Sequence, residues 1–254
     1  MKAFTIAVAG KGGTGKTTLT GLVIRYLIEK RKGPILAVDA DANSNLNEVL
    51  GVKCGSTIGH IREEALGTAG GRPHNMSLDE YLDLRIEQVM VEAPSFDLLV
   101  MGRPEGPGCY CAANNVIRKY TDHLIESYPY IVTDNEAGLE HLSRRTTEDT
   151  DLLLIISDPS ARGILTAGRV NGIVDELGLR VKKRALIVNR VQGDTLPSGI
   201  KEVVEQQGLE LAGTVPSDEN IFEFDLAAKP LVELPADSKA VKALYGILDG
   251  LNIP

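Results

Sequence analysis

The sequence contains no tryptophan and few other aromatic residues, with 4 phenylalanines and 7 tyrosines among 254 positions. Surfaces on which nucleic-acid bases stack are rich in aromatic side chains, so this composition disfavours a single-strand-binding protein. The formal net charge of −8 also lacks the basic excess that is typical of proteins that bind large polyanions. We therefore predict that nucleic acid is not a partner of this protein.

Long apolar segments and secretion signals are missing as well. No apolar run reaches the roughly 18 residues that a transmembrane helix requires. The first residues lead directly into a strand-like run and a glycine-rich loop, which is unlike a signal peptide. The 3 cysteines are too few for a disulfide scaffold. These absences predict a cytoplasmic protein without a membrane partner.

Short apolar runs alternate with helical patterns along the chain. Alternation of this kind predicts βαβ units and an α/β fold with a doubly wound, mostly parallel sheet. No internal repeat, low-complexity run or linker divides the chain, so we predict one domain over residues 1–254. The apolar runs, interpreted as strands buried on both faces, are residues 3–9, 35–38, 98–101, 130–133, 152–156, 185–188 and 211–215. The helical patterns are residues 17–29, 112–126, 161–177 and 199–207.

The first apolar run ends in the most specific motif of the sequence. Residues 9–18 are AGKGGTGKTT, in which Gly10, Gly15, Lys16 and Thr17 satisfy the phosphate-binding P-loop pattern. Glycines let consecutive backbone N–H groups converge on phosphate oxygens, and the following helix directs its positive end to the same point. We therefore predict a P-loop NTPase fold that binds ATP or ADP with Mg²⁺, Lys16 reaching the β- and γ-phosphates and Thr17 binding the metal. The other nucleotide-binding residues of this loop are Gly12, Gly13, Thr14 and Thr18.

A second lysine, Lys11, follows the first glycine of the loop. With it, the sequence KGGTGKTT at residues 11–18 resembles the deviant Walker A motif of the ATPase family that includes MinD, the ParA proteins and the nitrogenase iron protein. In that family the first lysine reaches across a dimer interface to the nucleotide of the partner. The resemblance implies catalytic roles for Lys11 and Lys16 and a homodimer that forms on nucleotide binding.

Acidic residues follow two later apolar runs. The sequence DADANSN at residues 39–45 places carboxylates where an open α/β sheet has its ligand crevice. The family resemblance implies that Asp41 is catalytic and orients the attacking water, while Asp39 supports the magnesium shell; the alternative for either residue is a helix cap. The run YIVTDNEAG ends its strand at Asp134, the Walker B arrangement in which a carboxylate holds a magnesium-bound water.

Two late segments resemble the adenine pocket of the same family. The sequence LIVNRV places Asn189 and Arg190 at a strand end, and TVPSDEN carries Pro216 and Asp218. An asparagine side chain contacts the edge of the base in that family, so the resemblance implies nucleotide contacts from all these residues. The alternative is a pair of ordinary strand-to-helix turns, with Asp218 as a helix cap. With these segments the resemblance extends over nearly the whole chain.

Cys109 and Cys111 form a C-x-C motif, GPGCYCAAN, ahead of a helical pattern. A disulfide between such close thiols is strained, whereas two thiolates can bind one metal ion. Zinc and nickel(II) thiolate sites use four ligands, and a two-fold dimer supplies the second pair. We therefore predict a nickel or zinc site shared across the dimer, although thiolates also accept copper. Cys54 is distant in sequence from the pair and is interpreted as structural.

A C-x-C motif on this ATPase core resembles the accessory ATPases of the CooC type, which insert nickel into carbon monoxide dehydrogenase. The resemblance implies an ATP-dependent metallochaperone with carbon monoxide dehydrogenase as its client. Two alternatives stay open: a spatial regulator of the MinD or ParA kind, and an iron–sulfur electron carrier like the nitrogenase iron protein. The last helical pattern, residues 238–251, carries only Lys239 and Lys242 as basic residues, which favours a core-packed helix over a membrane anchor.

Overall fold

Every apolar run that the sequence predicts as a strand forms one in the computed structural model, which describes residues 2–66, 73, 75–102, 127–136, 149–193 and 195–254. The described strands are β1 Phe4–Gly10, β2 Ile35–Ala40, β3 Val91–Glu92, β4 Phe96–Val100, β5 Tyr130–Asn135, β6 Asp149–Ser157, β7 Arg180–Val191 and β8 Leu211–Pro216. The described helices are α1 Lys16–Glu29, α2 Leu46–Leu50, α3 Ile58–Leu66, α4 Leu78–Val89, α5 Ala161–Glu176, α6 Ser198–Gln206, α7 Glu219–Leu226 and α8 Lys239–Gly250, with a 3₁₀-helix at Leu231–Glu233.

The strands form one 8-stranded sheet in the order β3-β4-β2-β5-β1-β6-β7-β8. The described pairs are parallel, except that β3 runs antiparallel to β4. Because β1 lies between β5 and β6, the chain leaves β1 for one half of the sheet and crosses to the other half after β5. In open α/β sheets the ligand crevice lies at such a reversal, beyond the carboxyl ends of the strands. The predicted doubly wound, mostly parallel sheet is confirmed.

The central strands are apolar along their length because core side chains cover both faces of the sheet. In β1, Ile6 and Val8 join the core that contains α1, whereas Ala7 and Ala9 join a separate core with α5. Helix α8 packs into the first of these cores through its buried side chains, and this packing agrees with the predicted core-packed helix. None of the helices in the described ranges is long and apolar enough to cross a membrane.

The sequence patterns missed several short or charged elements. Helix α2 has 5 residues, too few for a helical period to be visible, and α4 is rich in charged residues but begins with a capping box between Ser77 and Glu80. Strand β7 begins at Arg180, five residues before its predicted start, because its exposed basic residues extend the strand beyond the apolar core. The predicted helix at residues 112–126 lies outside the described residues.

Candidate nucleotide-binding site

The loop between β1 and α1 depends on glycine for its conformation and for its packing. Gly10, Gly13 and Gly15 have φ values of 148°, 78° and 88°, in the region that other residues rarely adopt. A Cβ atom on Gly10 would lie 2.2 Å from the carbonyl oxygen of Ile156, and one on Gly15 would lie 2.5 Å from Nδ2 of Asn189. The loop can therefore pack against β6 and the end of β7 only because residues 10 and 15 have no side chain.

Helix α1 begins at Lys16, with Gly15 as its N-cap residue. No side chain supplies a capping hydrogen bond there, and the first turn carries no acidic residue. The backbone N–H groups of the first turn and the positive end of the helix dipole therefore remain available to an anion. A phosphate group is the ligand that such a terminus binds most readily.

The two lysines of the loop have opposite surroundings. The Lys16 side chain is buried, and its Nζ lies 3.4 Å from the carbonyl oxygen of Lys11. Burial lowers the pKa of Lys16, and the nearby carboxylates of Asp134, Asp41 and Glu136 counteract part of this effect. The Lys11 side chain is exposed to solvent. Lys16 is therefore held inside the loop, whereas Lys11 is accessible to a second molecule.

Two buried carboxyl groups lie on neighbouring strands at the crevice. Asp39 of β2 pairs in register with Asp134 of β5, and their exposed fractions are 0% and 1%. Burial raises the pKa of Asp39 to about 7 and that of Asp134 to about 6. A divalent cation beside these groups would favour their ionised forms and reduce their mutual repulsion.

Asp134 contacts two hydroxyl groups of α1. The Thr20 Oγ1 atom lies 3.2 Å from Asp134 Oδ1, and the Thr17 side chain also donates a hydrogen bond to this carboxylate. Oxygen ligands of this kind suit Mg²⁺, which keeps several waters and commonly uses substrate phosphates as further ligands. Thr20 is not among the site residues predicted from the sequence, although its position four residues after Lys16 places it on the same face of α1.

Asp39 and Asp41 differ in what their carboxyl groups contact. Asp39 accepts hydrogen bonds from the backbone N–H groups of Asp41, at 3.1 Å, and Leu46, at 3.0 Å. The second of these caps the first residue of α2, which is the alternative that the sequence left open for this residue. Asp41 is half-buried, accepts one bond from the Asn43 N–H at 2.8 Å, and lies close enough to raise the pKa of Asp134. Asp41 is therefore the better placed of the two to contact a water in the crevice.

The loop that carries Asp41 is hydrogen-bonded to the backbone just after β4. The Gly102 N–H donates to Ser44 Oγ at 3.1 Å, and the Ser44 hydroxyl donates to the Asp41 carbonyl at 3.0 Å. Ser44 and Gly102 both have positive φ values, 44° and 65°. A Cβ atom on Gly102 would lie 2.2 Å from Thr57 Oγ1, so any larger residue at this position would clash with Thr57.

A cleft of about 340 Å³ opens beside the P-loop, within the size range of ligand pockets. It brings together residues from distant parts of the sequence that were all predicted to contact the nucleotide. These residues are Gly15, Thr18, Asn189, Arg190, Pro216 and Asp218.

Asn189 and Arg190 attach this cleft to the P-loop. Asn189 Nδ2 donates to the Thr14 carbonyl at 2.8 Å, and Arg190 Nη1 donates to the Gly13 carbonyl at 2.9 Å. Arg190 adopts a left-handed conformation with φ of 58°, and its N–H donates to Asn189 Oδ1. The end of β7 therefore stabilises the shape of the phosphate loop through side-chain contacts.

Asp218 is a structural link between two helices. Asp218 is the N-cap residue of α7, and its Oδ1 accepts hydrogen bonds from the N–H and the side-chain amide of Asn220. Its Oδ2 accepts from the Ser238 hydroxyl at 2.6 Å and from the Ala240 N–H at 3.0 Å at the start of α8. Burial alone would raise the pKa of Asp218, but these hydrogen bonds outweigh it and hold the pKa below its usual value. This geometry favours the capping alternative for Asp218, although the residue also borders the cleft.

Replacing Asp218 with alanine is expected to lower the free energy of unfolding by about 2 kcal/mol, because buried donors on two helices lose their acceptor. The pKa of this carboxyl is lower in the folded chain, so its stabilisation is complete above the unfolded pKa and is lost as the pH falls through the folded pKa. Urea unfolding at pH 7 and at pH 3 measures both effects. Asp218→Asn, which keeps one acceptor oxygen, should be intermediate; a loss of ATP affinity at unchanged stability would contradict the capping role.

The cysteine pair, Cys109 and Cys111, lies outside the described residues. Within the described ranges, no group of three or more His, Cys, Asp and Glu side chains is arranged to hold a metal ion. Cys54 is half-buried, its thiol donates to the Ser56 carbonyl at 3.0 Å, and burial raises its pKa. A raised pKa reduces the fraction of reactive thiolate, which agrees with the structural interpretation of Cys54.

Comparison with known proteins agrees with this geometry. The profile of the CobQ/CobB/MinD/ParA nucleotide-binding domain matches residues 5–231. An uncharacterized ATP-binding protein of Methanocaldococcus jannaschii is 43% identical, with 96% of each chain covered. The carbon monoxide dehydrogenase accessory protein CooC of Rhodospirillum rubrum is 30% identical, over 96% of this chain and 95% of its own. The structure of the cell-division protein MinD from Aquifex aeolicus superposes with a TM-score of 0.70 at 25% identity, covering 99% of both chains.

The profile match and the two relatives extend over both the P-loop and the cleft beside it. The sheet order, the glycine-dependent loop and the buried acidic pair place these residues as a nucleotide site requires. The chain therefore belongs to the CobQ/CobB/MinD/ParA nucleotide-binding family and is a P-loop ATPase.

Proposed function

We propose that this ATPase is a metallochaperone, which couples ATP binding and hydrolysis to the binding and delivery of nickel. The observation that carries the proposal is the C-x-C motif of Cys109 and Cys111 on an ATPase core whose relatives include CooC. The name of that relative ties it to carbon monoxide dehydrogenase. For this chain we propose the same client, a nickel-containing carbon monoxide dehydrogenase.

The proposed ATP site uses the residues that surround the P-loop. Lys16 contacts the β- and γ-phosphates, the Thr17 hydroxyl binds Mg²⁺, and Asp134 holds a water of the metal. Asp41 orients the attacking water, and Asp39 supports the magnesium shell while its hydrogen bonds hold the loop that contains Asp41. The base lies in the cleft beside Asn189, Arg190 and Pro216, and the backbone from Gly12 to Thr18 surrounds the phosphates.

The proposed active state is a homodimer. Lys11 is exposed, whereas Lys16 of the same loop is buried. Lys11 can therefore contact the nucleotide of the partner chain while Lys16 contacts the nucleotide of its own chain. A two-fold interface brings the same motif from both chains together. Two copies of Cys109 and Cys111 then provide four thiolates, the number that nickel(II) or zinc favours in such sites.

The serine double variant Cys109→Ser, Cys111→Ser is expected to lose bound nickel and to retain ATP hydrolysis, because the cysteines are ligands of the cargo and not of the nucleotide. Anaerobic native mass spectrometry with nickel, in the presence of ATP, of ADP and of neither, measures stoichiometry per dimer. Cys54→Ser is the matched control and should bind nickel as the unsubstituted protein does. Nickel stoichiometry that is unchanged in the double variant would sink the shared-site proposal.

A spatial regulator of the MinD kind is the second candidate, and the similarity to the Aquifex aeolicus MinD structure favours it. Helix α8 buries Val241, Leu244 and Leu248 in the core with α1, so these side chains are not available to a membrane. A dimer that depends on nucleotide and binds no metal would support this candidate. A brown, oxygen-sensitive protein would instead indicate an iron–sulfur carrier, since thiolate-bound clusters are coloured.

A further inference from the structure

An exposed phenylalanine borders the nucleotide cleft. Phe222, one of 4 phenylalanines in the chain, lies on α7 with 69% of its surface exposed and lines the cleft beside the P-loop. An aromatic ring in water loses the stabilisation that burial would give it, so an exposed ring at the edge of a binding cleft points to a ligand that covers it. Leu226 is 77% exposed one turn later on α7 but does not line the cleft.

The lining of the cleft combines this ring with polar side chains. Arg190 and Asn189 close it at the end of β7, while Pro216 and Ile221 add apolar surface next to Phe222. A purine base has the matching properties, because its flat faces stack on aromatic rings and its edges carry hydrogen-bonding groups. The cleft therefore offers both kinds of contact to a purine base.

The support of Phe222 is rigid. Helix α7 begins immediately after Asp218, whose side chain caps it and also binds the start of α8. The Phe222 N–H donates to the Asp218 carbonyl, which places the ring one turn from this cap. A ring on a fixed helix loses less conformational entropy on binding than one on a loop.

We propose that Phe222 stacks on the base of the bound nucleotide and makes the site prefer purine nucleotides. This inference rests on the proposed nucleotide site and adds a residue that sets its selectivity. The face of Phe222 that is exposed in the free protein becomes covered by the base, whereas Leu226 stays exposed. The ring contacts the base of a nucleotide bound to the same chain, so it should increase the affinities for ADP and ATP equally.

The test is isothermal titration calorimetry with ADP, ATP, CTP and inorganic tripolyphosphate. Phe222→Ala is expected to weaken ADP and ATP about tenfold or more, which is the range for loss of one aromatic stacking contact. Its affinity for tripolyphosphate should be unchanged and its preference for ATP over CTP reduced. Phe222→Tyr keeps the ring and should bind as the unsubstituted protein does, and Leu226→Ala is the matched surface control.

Three results would overturn the stacking role. The first is an ADP affinity that Phe222→Ala leaves unchanged, and the second is an equal loss in Leu226→Ala. The third is a loss confined to ATP that grows with protein concentration, which would place Phe222 in a dimer interface. An unsubstituted protein that binds neither ADP nor tripolyphosphate would overturn the proposed nucleotide site itself, so the two failures are distinguishable.

Discussion

Lys16→Ala is expected to reduce the rate of ATP hydrolysis about 10²–10³-fold, the cost of removing one preorganised electrostatic contact from a developing anionic charge. Lys16 is buried and its Nζ lies 3.4 Å from the Lys11 carbonyl oxygen, so its charge is held within the P-loop before a triphosphate binds. Its burial also makes the charge more effective than one in solvent. Phosphate release at saturating ATP measures the effect, and calorimetry with ADP separates binding from catalysis.

Lys11→Ala is the matched comparison, because the same residue type is replaced in the same loop at an exposed position. The Lys11→Ala monomer should bind ADP as tightly as the unsubstituted protein. The variant should lose ATP hydrolysis because it no longer forms the nucleotide-dependent dimer. Thermal unfolding of both variants shows whether either change acts through the fold. Full hydrolysis by folded Lys16→Ala would contradict the assignment of the P-loop lysine.

Gly10→Ala is expected to lower the free energy of unfolding by about 3 kcal/mol or more, because overpacking and backbone strain act together. Its φ of 148° is unfavourable for alanine, and the new Cβ would lie 2.2 Å from the Ile156 carbonyl oxygen on the neighbouring strand β6. Backbone atoms in the middle of a sheet cannot move aside without breaking the pairing of β1 with β6. Urea denaturation followed by circular dichroism measures the loss.

Gly13→Ala separates strain from crowding. Gly13 also has a positive φ, 78°, but nothing lies within 4 Å of the position that a Cβ would take. Its cost should be about 1–2 kcal/mol, that of a left-handed conformation alone. Equal losses in the two variants would show that the contact with Ile156 contributes nothing to the requirement for glycine.

The sheet could be predicted because its strands contain continuous apolar runs, several of which are followed directly by glycine or an acidic residue. The P-loop, Asp39 and Asp134 lie at one edge of the sheet because parallel strands bring their carboxyl ends together there, whereas their contacts with a nucleotide stay predictions. The contacts between Arg190, Asn189 and the P-loop carbonyl groups were not predictable. They join residues about 175 positions apart, and only the three-dimensional path of the chain brings them together.

For Asp218, the sequence is compatible with two roles, and the structure distinguishes between them. Its position before a helix is typical of a cap and its neighbourhood resembles an adenine pocket, so the sequence predicts a nucleotide contact and leaves the cap as the alternative. The structure adds Ser238 and Ala240, which come from a helix that the motif does not contain. The exposed ring of Phe222 was missed because an aromatic residue in an amphipathic helix is ordinarily part of the core.

The hydrogen bond between Gly102 and Ser44 connects two parts of the chain for which we propose different roles, ATP hydrolysis and metal binding. Ser44 belongs to the loop that carries Asp41, and Gly102 is the last described residue before the segment that contains the cysteine pair. Both residues have positive φ values, and Thr57 leaves no room for a side chain at Gly102. The backbone just before the cysteine segment is thus hydrogen-bonded to the loop that carries Asp41, for which we propose contact with the attacking water, and hydrogen exchange at the Gly102 amide is expected to respond when this loop changes on nucleotide binding.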